Sequence, residues 1–171
     1  MRTTLLVVGL TAIAGCSPQS SGTDALTPRN LAVLPALDAW HYQAQRDPMD
    51  TTTTHTIRKR VVFGNTPAAL SFTCSKGRLS AMVTSEAPIQ ESITYRIGDG
   101  PSRTVTGQRA LVRHGFAISG DAARALFQEL QKATGPMTVS IAGERTETPQ
   151  TVELDSFKAK AGPVAAACKL G

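Results

Sequence analysis

Apolar and polar positions alternate along much of the chain, and that period of two predicts strands. In residues 56–63, Ile57, Val61 and Phe63 fall on one face. Residues 69–74 form a second run, closed by Ser75-Lys76-Gly77-Arg78, and 79–84 then sets Leu79, Ala81 and Val83 against Ser80, Met82 and Thr84. A run, a glycine-containing turn and a second run signal a hairpin. Residues 92–97 alternate again, with Ile93, Tyr95 and Ile97 opposite Ser92, Thr94 and Arg96, until Gly98-Asp99-Gly100-Pro101 interrupts the pattern. Further strands are expected at 104–106, 109–118, 137–142 and 151–157, the last with Val152 and Leu154 on one side.

The period lengthens between 121 and 133, where Ala122, Leu126, Leu130 and Ala133 lie along one helical stripe. Ser119 or Asp121 can cap this helix, and Gly135-Pro136 stops it. Pro163 fits the first position of a short terminal helix over 164–168, because proline tolerates a helix start. The pattern predicts an α+β fold, mostly β: an antiparallel sheet or small β-sandwich with one packed helix and a short C-terminal helix.

The first residues follow another logic. Arg2 precedes a mostly apolar run, 5–15, which ends in Ile13-Ala14-Gly15 before Cys16. A basic start, a short apolar middle and small residues at the cut are the order of a secretory signal. The run is too short for a membrane span, which needs about 20 apolar residues. Cys after Ala-Gly resembles a lipobox. The resemblance implies cleavage before Cys16, a diacylglycerol on its sulfur and an acyl chain on its amino group. Two or more acyl chains anchor stably where one is marginal. Ser17, in place of an inner-membrane-retaining Asp, implies the outer membrane, facing the periplasm. Three segments follow: a signal at 1–15, a Ser-, Pro- and Thr-rich tether at 16–37, and a single globular domain at 38–171.

Composition adds compartment and charge. Cys74 and Cys168 form an even pair in an exported chain, where a disulfide is expected, the alternative being two free core thiols. The chain has 18 Lys+Arg and 13 Asp+Glu, for a net charge of +5, and its tight basic cluster is Arg58-Lys59-Arg60. That triplet reads either as a patch for anionic lipid, lipopolysaccharide or peptidoglycan, or as a solvated strand face. No nucleic-acid recognition motif is present.

Candidate chemistry is sparse. His41, His55 and His114 are not at metal-ligand spacing, and no cofactor is expected. There is no Gly-x-Ser-x-Gly elbow. Asp47 and Asp50, within Asp47-Pro48-Met49-Asp50, could act as paired carboxylates or as turn formers, and with His114 they are the candidate acid or base of a cell-wall enzyme. Trp40 and Tyr42 belong to the densest aromatic cluster, and Trp40 suits either a binding hot spot or a core anchor. Arg96 could bind an anionic ligand or simply be exposed.

The order Trp40, Asp-Pro-Met-Asp, Ala69-Leu70-Ser71-Phe72-Thr73-Cys74, Ile93-Thr94-Tyr95-Arg96-Ile97, a Leu126/Leu130 helix, Phe157 and Ala167-Cys168 is similar to the VasI (TagO) type of periplasmic protein associated with type VI secretion. The resemblance implies a non-catalytic accessory role with an envelope protein partner, and a Cys74–Cys168 bridge. It carries over no catalytic residues. An inhibitor or exclusion lipoprotein, acting on an envelope enzyme or a phage component through a loop such as 98–108, is the other expectation.

Overall fold

The computed structural model describes residues 39–110, 114–143 and 149–170. Ten strands and two helices occupy them. Five strands, β1 (His41–Arg46), β2 (Thr53–Phe63), β3 (Thr66–Ser75), β4 (Arg78–Ser85) and β5 (Ile89–Ile97), come first, and β6 (Arg103–Thr106), β7 (Gln108–Arg109) and β8 (Gly115–Ser119) follow. Then come α1 (Gly120–Lys132), β9 (Met137–Gly143), β10 (Gln150–Val152) and α2 (Asp155–Ala167). They build a six-stranded sheet, β1-β2-β3-β4-β8-β7, and a four-stranded sheet, β10-β9-β5-β6, with every pair antiparallel. The expected α+β, mostly β class is what the chain adopts.

The hairpin predicted at 75–78 is present. Lys76 and Gly77 form its two-residue loop with φ of 51° and 71°. Positive φ at both positions makes a type I′ turn, whose twist matches the strands it joins. It sets the register Cys74↔Leu79, Phe72↔Ala81 and Leu70↔Val83, and so places all six of these buried side chains on one face.

That face of the large sheet is covered in two halves. Over one half lie the helices, where Phe72 of β3 meets Phe127 of α1 and Phe157 of α2 at ring-centroid distances of 5.3 and 5.7 Å. Over the other half lies the small sheet. There Val61, Leu70 and Val83 face Ile93, Val139 and Ile141 around an apolar cavity of about 10 Å³, space for one water at most. The chain crosses between sheets at Gly107. Residue 106 still pairs with β5 of the small sheet, and residue 108 already pairs with β8 of the large one. A Cβ at Gly107 would stand 2.5 Å from the Ala117 carbonyl oxygen and 2.7 Å from the Phe116 ring, so only glycine fits this corner.

Five expectations need correction. The strand at 151–157 ends at Val152, because its partner is Met137, the first residue of β9, and no strand remains beyond it to pair with. The chain then turns helical at Asp155, not at 164. Leu154, Phe157, Ala161, Val164 and Cys168 are all buried, a spacing of three and four that continues through Pro163. Proline sits inside the helix because burial on both sides of it outweighs the one backbone bond it removes. In α1 the buried stripe is Ala123, Leu126, Phe127 and Leu130, while Ala122 is exposed. Ser119 holds the cap position without a side-chain cap bond. The expected strand 109–118 is split into β7 and β8, with 111–113 outside the described residues.

Candidate binding surface

Trp40 is fully buried. Its ring packs edge-on against Phe157 at 4.8 Å, and its indole Nε1–H donates to the Glu153 carbonyl at 3.1 Å. Its backbone N–H donates to Ser156 Oγ at 3.1 Å, and Lys160 Nζ donates to its carbonyl oxygen at 2.8 Å. The C-terminal helix therefore holds Trp40 by ring and backbone together, and the residue anchors the first strand to the core. Tyr42 lies on β1 with its hydroxyl 2.8 Å from His55 Nδ1 and the two rings stacked.

Cys74 and Cys168 are bonded, with Cα atoms 5.8 Å apart. The bridge ties the end of β3 to the cap of α2. That cap is a Schellman motif: Leu170 N–H donates to the Ala165 carbonyl at 2.9 Å and Lys169 N–H to the Ala166 carbonyl at 3.2 Å, with Lys169 at φ 54° and Leu170 buried. Cys16 lies outside the described residues.

Asp47 and Asp50 form a turn. Asp47 Oδ1 accepts from the Met49 N–H at 2.8 Å and Asp50 Oδ1 from the Thr52 N–H at 2.9 Å, each two residues on, as aspartates do in Asx turns. Asp50 also pairs with Lys76 at 2.6 Å, joining the β1–β2 turn to the β3–β4 turn. The Lys76 ammonium and the Thr52 amide hold the Asp50 carboxyl down at about 2, and the same contact raises Lys76. His41 is exposed at the start of β1, and His114 carries φ 122° while its carbonyl accepts from the Ser85 N–H at 2.8 Å. Among the described residues no three His, Cys, Asp or Glu side chains gather as metal ligands would.

The most shifted phenol is Tyr95. Its hydroxyl donates to Glu129 Oε2 at 2.7 Å, and Arg103 donates to the same oxygen at 3.1 Å. Burial first, then the Glu129 carboxylate, push the Tyr95 hydroxyl up to about 12. This trio locks α1 to β5 and β6. Arg96, next to Tyr95 in sequence, points the other way and is exposed.

The basic triplet divides between two faces. Lys59 lies on the core side between Ile57 and Val61 and is 7% exposed, whereas Arg58 and Arg60 are half-buried on the outer face of the large sheet. Strand alternation requires this split, so three adjacent charges cannot form one patch.

On that outer face, cross-strand pairing lines up hydroxyls. Thr56 lies opposite Thr73, which lies opposite Ser80, which lies opposite Ser119. The Thr56 and Thr73 hydroxyls are 3.2 Å apart, Thr54 donates to Ser75 at 3.3 Å, and Ser71 donates to the Met82 carbonyl at 3.4 Å. Arg58, Arg60 and Arg78 share the face, and none of its positions is Asp or Glu. Both helices and the small sheet pack on the opposite, core side. This surface was not legible as a unit in the sequence, because its members come from six strands.

No family model, no curated protein and no solved structure matches this chain.

Proposed function

We propose that the chain is a lipid-anchored binding protein of a bacterial envelope, carried on Cys16 in the outer membrane and facing the periplasm. One observation carries the reading: the basic start and short apolar run that end in Ala14-Gly15-Cys16, followed by a Ser- and Pro-rich tether. The Cys74–Cys168 bridge supports it, since disulfides persist in oxidising compartments. The carboxylates offer further support. Asp50 is paired with Lys76, Glu91 with Arg109 and Glu129 with Tyr95 and Arg103, so these groups stabilise turns and packing. An accessory role in type VI secretion is the specific form that the resemblance to VasI-type proteins implies.

The test is metabolic labelling with palmitate followed by membrane fractionation. The wild-type chain incorporates label and sediments with the outer membrane, and Cys16→Ser loses both. Outer-membrane retention of an unlabelled Cys16→Ser chain refutes the anchor.

A further inference from the structure

We infer that β1 is a docking edge for a second copy of this chain: two β1 strands pair antiparallel about Ala44 and join two six-stranded sheets into one. Four strands end the two sheets. Three of them, β6, β7 and β10, have four, two and three residues, whereas β1 has six. Short edges are one way a fold keeps further strands from adding to it. β1 lacks that protection. It pairs with β2 without a register shift, contains no proline, and is exposed from Gln43 to Arg46.

Alternation decides which backbone groups face the open side. In an antiparallel pair, every second residue directs both its N–H and its C=O to the neighbouring strand. The Asp47 N–H donates to the Thr52 carbonyl at 2.8 Å, in the register that pairs His41 with Arg58, so positions 41, 43 and 45 bond β2. Positions 40, 42, 44 and 46 then face outward. Trp40 agrees, because Ser156 and Lys160 of α2 take its N–H and its carbonyl oxygen from that side. Among the described residues nothing does the same for Tyr42, Ala44 and Arg46. The row of open groups is bounded by Trp40, already capped, and by Pro48, which has no N–H.

This row is self-complementary. A two-fold axis through Ala44 sets Ala44 opposite itself and Tyr42 opposite Arg46 of the second copy, so every open residue exchanges two backbone bonds. Trp40 falls opposite Pro48, where no bond is required. Moving the axis one residue either way sets Arg46 against the capped Trp40 or Tyr42 against Pro48, and bonds are lost. The side chains agree with the same register. The Arg46 guanidinium meets the Tyr42 ring, a cation beside an aromatic face. On the other face Gln43 meets Gln45, whose amides both donate and accept, and His41 meets Asp47. Ala44 is small at the axis, where the two strands approach. Any extended peptide can bond the backbone row, but this side-chain match selects a copy of β1.

The experiment is sedimentation velocity on the purified full chain in detergent over a concentration series. The wild-type chain shows a dimer that grows with concentration. Ala44→Pro removes an outward N–H and no bond to β2, a change that edge strands accept, and raises the dimer dissociation constant at least about tenfold. Arg124→Gln, on the exposed side of α1, leaves it within about twofold. Ala44→Cys reads the register and serves should Ala44→Pro fail to fold. It is made together with Cys16→Ser, so that the introduced thiol is unpaired. Across the axis its Cα atoms stand about 5.5 Å apart, within disulfide reach, and mild oxidation gives a dimer on a non-reducing gel. Gln43→Cys in the same background gives none, because its two copies lie diagonally, about 8 Å apart. A monomer at every concentration, an unchanged dimer in folded Ala44→Pro, an equal loss in Arg124→Gln, or a bridge through Gln43→Cys in place of Ala44→Cys overturns the inference. None of these outcomes depends on the lipid anchor, so palmitate labelling stands or falls separately.

Discussion

At the scale of single residues, the same side-chain chemistry takes different roles according to what surrounds it. Asp50 is exposed and held ionised by Lys76, whereas Tyr95 is buried and held neutral by desolvation and by the Glu129 carboxylate. The sign for Tyr95 is that of a raised folded value. Its unfolded value is near 10 and its folded value about 12, so its contribution to stability is complete below pH 10 and is lost as pH rises towards 12. We expect ultraviolet titration of the folded chain, which has two tyrosines, to show one phenol ionising near 12. Glu129→Gln should bring that midpoint down, and an unchanged midpoint would show that the carboxylate plays no part. Trp40 marks the limit of reading residues in isolation. Its size and polarity suit a surface hot spot and a core anchor equally, and the choice falls to Glu153, Ser156 and Lys160, more than 110 positions away.

At the scale of elements, local signals served well where the partner is close in sequence. The Lys76-Gly77 loop and the alternation of Leu79, Ala81 and Val83 specify a hairpin because the turn and both strands are contiguous. They served poorly at 151–168. Val152 and Leu154 read as one strand, but a strand lasts only as long as its neighbour, and β9 begins at Met137. Pro163 read as a helix start, yet Phe157, Ala161 and Val164 bury helical turns on both sides of it. Gly107 is a corner that no local pattern announces, since its neighbours Ala117 and Phe116 come from β8. Gly107→Ala should therefore destabilise the fold by about 2 kcal/mol or more, the cost of forcing a methyl group into a packed site with backbone on one side. Chemical denaturation measures it, and a change below about 0.5 kcal/mol would mean that β6 and β7 separate easily.

At the scale of the whole molecule, the disulfide and the division of the large sheet matter most. The bridge spans 94 positions and joins the central sheet to the last helical turn, next to the Schellman cap. Replacing both Cys74 and Cys168 with alanine should cost about 2–4 kcal/mol, chiefly by releasing the unfolded chain. Thiol titration of the denatured Cys16→Ser chain before reduction should find no free thiol. Two reactive thiols would refute the bridge. The large sheet turns one face to a continuous core of helices and small sheet, and leaves the other with hydroxyls and arginines. The basic triplet shows why this asymmetry escapes a linear reading. Arg58, Lys59 and Arg60 are one cluster in sequence and two opposite faces in space.

The fold class, the β3–β4 hairpin, α1 and the cysteine pair follow from the amino-acid order, because each depends on periodicity, on neighbours in sequence or on a residue type with one dominant chemistry. The extent of α2, the corner at Gly107, the burial of Trp40 and the composition of the outer face arise only in three dimensions. Each depends on strands paired across long separations, and a side chain's surroundings are then set by residues that no local window contains.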